Sequence, residues 1–137
     1  MVKRVIEIKG RELLTQIISK AYVFPIVEEG ELSQAVEVRA LWDTGATHCL
    51  ITPELAERMG MKSLGKKDNN TAGGIVEGNV YQLGLYVNEH IVYPRLYFGE
   101  ANGGGRFDIV IGMNAIRHGR FTIEGHGDDR KFTFELT

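Results

Sequence analysis

The chain has 137 residues, which fits one domain spanning 1–137 with a sizeable core. Its 43% hydrophobic and 25% charged residues are ordinary for a globular protein, and a formal net charge of -2 with scattered basic residues gives no field to draw in nucleic acid. The single cysteine, Cys49, excludes an intrachain disulfide, no apolar run approaches a membrane span, and Met1-Val2-Lys3-Arg4 lacks a signal-peptide pattern. The expectation is a cytoplasmic protein with no nucleic-acid and no membrane partner.

In chain order, Val2 to Ile8 reads as a strand. Leu13, Leu14, Ile17 and Ile18 have helical spacing, but β-branching makes a strand nearly as good a fit. Tyr22 to Val27 is apolar, with Pro25 marking an edge or a bend. Gln34 to Trp42 alternates cleanly and runs into Asp43. A helix follows: Thr52 is placed as N-cap, Pro53 at the first helical position and Gly60 at the stop, with Leu55 and Met59 on one face. Tyr81 to Val87, Ile91 to Phe98, Phe107 to Ile111 and Phe132 to Leu136 are further strands rich in β-branched and aromatic residues. A shorter helical turn is expected over Asn114 to His118, ending at Gly119. The breaks fall at Glu29-Gly30, Asn69-Asn70, Gly73-Gly74, Asn102 to Gly105 and Gly127 to Asp129. Many short strands with Gly-rich turns and one or two short helices predict an all-β barrel or sandwich.

Three segments carry the chemistry. Ala40-Leu41-Trp42-Asp43-Thr44-Gly45-Ala46 runs an apolar strand into a carboxylate, a hydroxyl and a glycine. An acid at the end of a buried strand is costly unless partnered or used. Gly45 suits either a close backbone approach or a positive φ. On the tripeptide alone a β-turn is the better explanation. Thr71-Ala72-Gly73-Gly74-Ile75-Val76-Glu77-Gly78 has glycines inside and at its end, as a hairpin loop or a mobile flap over a cleft would. Phe107 to Ile111 then ends in Gly112 and enters the turn Met113-Asn114-Ala115-Ile116.

In this order, the pieces resemble the retropepsin-like aspartic proteases. Ile111-Gly112-Met113-Asn114-Ala115-Ile116 is similar to that family's Ile-Gly-Arg-Asn/Asp-Leu-Leu element. Gly119-Arg120-Phe121-Thr122-Ile123 and Phe132-Thr133-Phe134 resemble the strands that follow it in bacterial members. The resemblance covers Val36 to Leu136 and implies an acid-protease β-barrel. It implies Asp43 as the catalytic carboxylate, with Thr44, Gly45 and Ala46 as its loop. Gly73, Gly74 and Ile75 become the substrate-binding flap, and Ile111 and Gly112 the supporting loop. It also implies a peptide or protein substrate, no metal and no cofactor.

Family members pair two aspartates across a water, and like charges that close share one proton. This chain has one Asp-Thr-Gly; Asp68, Asp108, Asp128 and Asp129 lack the motif. A catalytic form is therefore expected to be a homodimer, with Asp43 of each copy at the two-fold axis. Retroviral members carry an ion pair at the positions held here by Thr47 and Met113, so that dimer contact is not transferable. A fold-retaining, non-catalytic dimerisation or peptide-binding module is the alternative.

Other chemistries fit less well. His48 and Cys49 are adjacent, and strand neighbours face opposite ways, so Cys49 reads as a small core residue rather than a nucleophile. His48 reads as an exposed strand residue that could border the cleft. His48, His90, His118 and His126 lack metal-ligand spacing. Gly103-Gly104-Gly105 lacks the ending of a phosphate-binding loop and reads as a flexible turn.

Overall fold

The computed structural model describes residues 4–10, 15–26, 35–71 and 74–137. Ten strands are formed: β1 (Val5–Lys9), β2 (Ile18–Pro25), β3 (Val36–Trp42), β4 (Cys49–Ile51), β5 (Gly65–Thr71), β6 (Gly74–Asn88), β7 (Ile91–Glu100), β8 (Ile109–Ile111), β9 (Gly119–Glu124) and β10 (Lys131–Leu136). Two short helices, α1 (Pro53–Arg58) and α2 (Met113–Ile116), follow β4 and β8. The all-β architecture expected from the Gly-punctuated strands is what forms.

The larger sheet runs β2-β3-β8-β4-β7-β6-β5, and β2 also pairs with β6. Six strands therefore close into a barrel, and β5 hangs on the outer edge of β6. Closure leaves none of the six ring strands as an open edge, which satisfies their backbone groups on both sides. The ring is mixed: β3 is parallel to β8 and β4 to β7, while the other pairs are antiparallel. A smaller sheet, β1-β10-β9, puts the last strand between two others.

Alternation explains which face is buried. In β2, Ser19, Ala21 and Val23 point inward while Ile18, Lys20 and Tyr22 face outward. In β3, Val38, Ala40 and Trp42 are buried. The barrel is filled by these with Ile51, Leu83, Leu85, Phe98, Ile109 and Ile111, all fully buried or nearly so. Trp42 joins the two sheets. Its ring centroid lies 5.0 Å from Phe132 and 5.1 Å from Phe134 of β10, and its Nε1 donates to Ser19 Oγ at 3.0 Å. Buried tryptophan is stable here because its one polar atom finds a partner.

The helix at Pro53–Arg58 begins as expected: Thr52 Oγ1 accepts from Leu55 N at 3.4 Å, and Gly60 takes φ +66° after the last turn. Three expectations shift. Strand β2 starts at Ile18 rather than Tyr22, so Ile17 and Ile18 are not helical; Leu13, Leu14 and the Glu29-Gly30 break lie outside the described residues. Asn69-Asn70, expected as a break, lies within β5. The polar run Gly65–Thr71 has little strand propensity of its own, and its pairing with β6 overrides that. The turn expected over Asn114 to His118 is helical over Met113–Ile116 and is capped by Arg117, and Gly119 opens β9.

Candidate active site

Asp43 sits one residue past β3, where Trp42 fixes the backbone from below. Its N–H donates to Ile111 O at 3.0 Å, so the end of β8 sets its position. Oδ1 accepts from Gly45 N at 2.8 Å, and Asp43 O accepts from Ala46 N at 3.2 Å. The carboxylate is thus oriented by its own loop. Asp43, Thr44 and Gly45 are exposed on this single chain. Gly45 does not use a positive φ; a Cβ there would lie 3.1 Å from Asp43 Oδ1, so the need is for space beside the carboxylate.

The second supporting loop closes on the first through main chain. Met113 N donates to Ala46 O at 2.8 Å and Asn114 N to Thr47 O at 3.2 Å. Gly112 makes this approach possible: a Cβ at that position would stand 2.4 Å from His48 O and 2.9 Å from Ala46 O. Thr47 and Met113, where the ion pair of retroviral members is absent, thus lie on two loops joined through the Met113–Ala46 and Asn114–Thr47 backbone hydrogen bonds. No buried charge is left unpaired by their side chains.

Asn114 is a brace that the motif alone does not reveal. Its Oδ1 accepts from Cys49 N at 2.8 Å, and its Nδ2 donates to Tyr97 O at 3.1 Å. One side chain ties β4, α2 and β7 together. Tyr93 Oη donates to Ala115 O at 2.8 Å and holds α2 from β7. The signal in the sequence was its match to the Asn/Asp position of the Ile-Gly element, which marks the residue without naming its partners.

Cys49 is fully buried, and burial pushes its thiol up to about 12. A thiol held so far from ionisation is inert at neutral pH. His48 lies outside β4 and is half-buried rather than an exposed strand residue. Its Nε2 is 3.2 Å from Lys67 Nζ on β5. Burial, then the Lys67 charge, holds the imidazole below its ordinary value of 6.5.

The β5–β6 hairpin is closed by the pair Thr71 and Gly74, with Gly74 at φ +112°. Gly73 lies outside the described residues, and Ile75 is 69% exposed. Asp108 belongs to the scaffold. Burial would raise its carboxyl, but the hydrogen bonds it accepts from the Arg39 guanidinium at 3.2–3.3 Å and from the Arg39 backbone N–H at 2.8 Å outweigh that and hold it below 3.8. Among the described residues, no group of three or more His, Cys, Asp or Glu side chains is placed to hold a metal ion. No helix among them is long and apolar enough to cross a membrane.

A family model described as aspartyl protease matches residues 28–115. That span includes Asp43, the β5–β6 hairpin and the Gly112 loop. A retropepsin-like aspartic protease from Rickettsia conorii is 17% identical, with 98% of this chain and 94% of that chain covered and a TM-score of 0.64. EIAV protease complexed with the inhibitor HBY-793 is 14% identical, with 78% and 90% covered and a TM-score of 0.54. At these identities the likeness establishes a shared fold. No curated protein sequence matches the chain.

Proposed function

Because the chain belongs to the retropepsin-like aspartyl protease family, we propose that it is an aspartic endopeptidase working as a homodimer. The observation that carries this reading is the Asp43 loop. Its carboxylate is exposed and oriented by Gly45 N, on a backbone tied to Ile111 and backed by Gly112.

Two copies of Asp43 would face each other across a water and share one proton, since both cannot ionise at close range. The ionised member takes a proton from the water as general base. The protonated member donates to the scissile carbonyl oxygen, and the water oxygen adds to the carbon. The tetrahedral species then collapses, the amine leaving with a proton from the dyad. Thr44 of each copy would brace the paired loops across the axis. Gly73, Gly74 and Ile75 would form the flap, and an extended peptide would pair with it by main-chain hydrogen bonds. The whole chain would act as one domain in the cytoplasm, with Ile111 and Gly112 as the supporting loop.

Replacing Asp43 by Asn is the test. It should lower kcat by about 10³-fold or more while leaving the thermal midpoint unchanged, since general acid–base groups are worth about 10²–10⁴-fold. An inhibitor with a hydroxyl at the scissile position should bind the wild-type protein far better than the substrate it mimics. Unchanged peptidase activity in Asp43→Asn overturns the assignment.

A further inference from the structure

A pocket of about 270 Å³ opens where the Asp43 loop meets the β5–β6 hairpin, lined by His48, Lys67, Val80, Tyr97 and Gly99. His48 comes from the loop that begins at Asp43, and Lys67 from β5. Register explains why these residues converge. Lys67 pairs with Gly78, Val80 pairs with Gly65 and Gly99, and Tyr97 pairs with Gln82, so the lining side chains share one sheet face. Gly78 and Gly99 leave that face open.

The charge of this face is one-sided. An ammonium group has donors only, so in the 3.2 Å contact His48 Nε2 accepts from Lys67 Nζ, and the ring is neutral with its proton on Nδ1. Lys67 keeps further N–H donors for a ligand. None of the five lining residues is acidic. The neighbouring carboxylates are turned away: Asp68 follows Lys67 on the strand and faces the other side, Glu77 meets Lys66 at 3.9 Å, and Glu100 accepts from Asn79 N at 2.6 Å. Lys67 thus stands as a cation at the pocket without a carboxylate of its own among the described residues.

The pocket is within reach of a bound peptide. His48 is five residues from Asp43, and five residues span at most about 17 Å. An extended peptide advances at the same rate, so a side chain within about five positions of the scissile bond can enter.

We propose that this pocket is a specificity site for an acidic side chain, Asp or Glu, of a peptide lying across Asp43. Lys67 Nζ is its charged donor, and Val80 and Tyr97 pack against the methylene stem. The proposal rests on the protease reading. A carboxylate at Lys67 gains a charge-assisted hydrogen bond that the isosteric amide makes less well. A carboxylate beside His48 also favours a protonated ring, so binding takes up a proton.

The test uses the full chain and an extended decapeptide library with Glu or Gln fixed at each position in turn. At one position within five residues of the cleaved bond, kcat/KM should be about tenfold higher for Glu than for Gln. Lys67→Gln should level that preference, and Lys67→Glu should reverse it in favour of Gln. In parallel, the His48 ring resonances of the Asp43→Asn variant are titrated against pH with the Glu-fixed and Gln-fixed pools. The Glu pool alone should raise the His48 pKa. Cleavage with equal rates for Glu and Gln at every position overturns the pocket and leaves the protease reading standing. Absence of cleavage with a His48 response to the Glu pool alone overturns the protease reading and supports the pocket. Neither cleavage nor a selective response overturns both.

Discussion

The floor beneath Asp43 and the hairpin beside it are held in opposite ways. On the floor, Asp43 N bonds to Ile111 O, Met113 N to Ala46 O, Asn114 N to Thr47 O, and the Asn114 amide bridges Cys49 N and Tyr97 O. Gly112 lets the two loops touch at a distance no other residue permits. Among the described residues the hairpin strand β5 pairs with β6 alone, and Lys66, Lys67 and Asp68 are exposed. Leu64, just before it, is 60% exposed, and Ile75, at its far end, is 69% exposed. A reacting carboxylate needs placement to within a fraction of an ångström, whereas a cover must open and close. The dense main-chain bonding of the floor and the exposure of the hairpin suit the proposed division of labour.

Substitutions that strike the floor should break the comparison most severely. Trp42→Ala removes the ring packed on Phe132 and Phe134 beneath Asp43 and should cost about 3–5 kcal/mol, read by chemical denaturation. Gly112→Ala forces a Cβ against His48 O and Ala46 O. It should cost about 1–3 kcal/mol or more and lower kcat with it, because the two loops must part. Asp108→Asn, on the scaffold behind β8, should cost about 0.5–1 kcal/mol at neutral pH, a value already reduced for the half-exposed Arg39 partner. Its sign with pH is set by the lowered folded pKa. The wild-type advantage is present above the unfolded carboxylate range and fades as the pH falls through the folded value below 3.8. At the hairpin, Ile75→Ser should leave stability within about 0.5 kcal/mol and raise KM for peptide. A hairpin substitution that unfolded the protein as Trp42→Ala does would remove the distinction between the regions.

How much of this was legible in the sequence follows the same line. Asp43-Thr44-Gly45-Ala46 and Ile111-Gly112 are readable because their constraints are local: a strand must end, a carboxylate needs an oriented turn, and a glycine must replace a side chain at a crossing. The Thr52 cap and Pro53 start of α1 are readable for the same reason. Strand β5 was not, because Lys66, Lys67 and Asp68 have no strand pattern and take their conformation from Asn79, Gly78 and Glu77 across the hairpin. The Asn114 bridge joins residues 65 and 17 positions away, and the His48–Lys67 contact spans 19. Such partners are named by the fold alone. The residue types at Thr47 and Met113 show that an ion pair is impossible there, but only the structure gives the main-chain bonds from Met113 to Ala46 and from Asn114 to Thr47 that join the two loops.

The central claim is that Asp43 is half of a site completed by a second copy. Wild-type protein and Asp43→Asn are unfolded together, refolded at a ninefold excess of the variant, and assayed for peptide cleavage per wild-type chain. A shared site predicts that random pairing leaves activity at about one tenth of the wild-type value. Activity per wild-type chain that does not change with the excess of variant would contradict it.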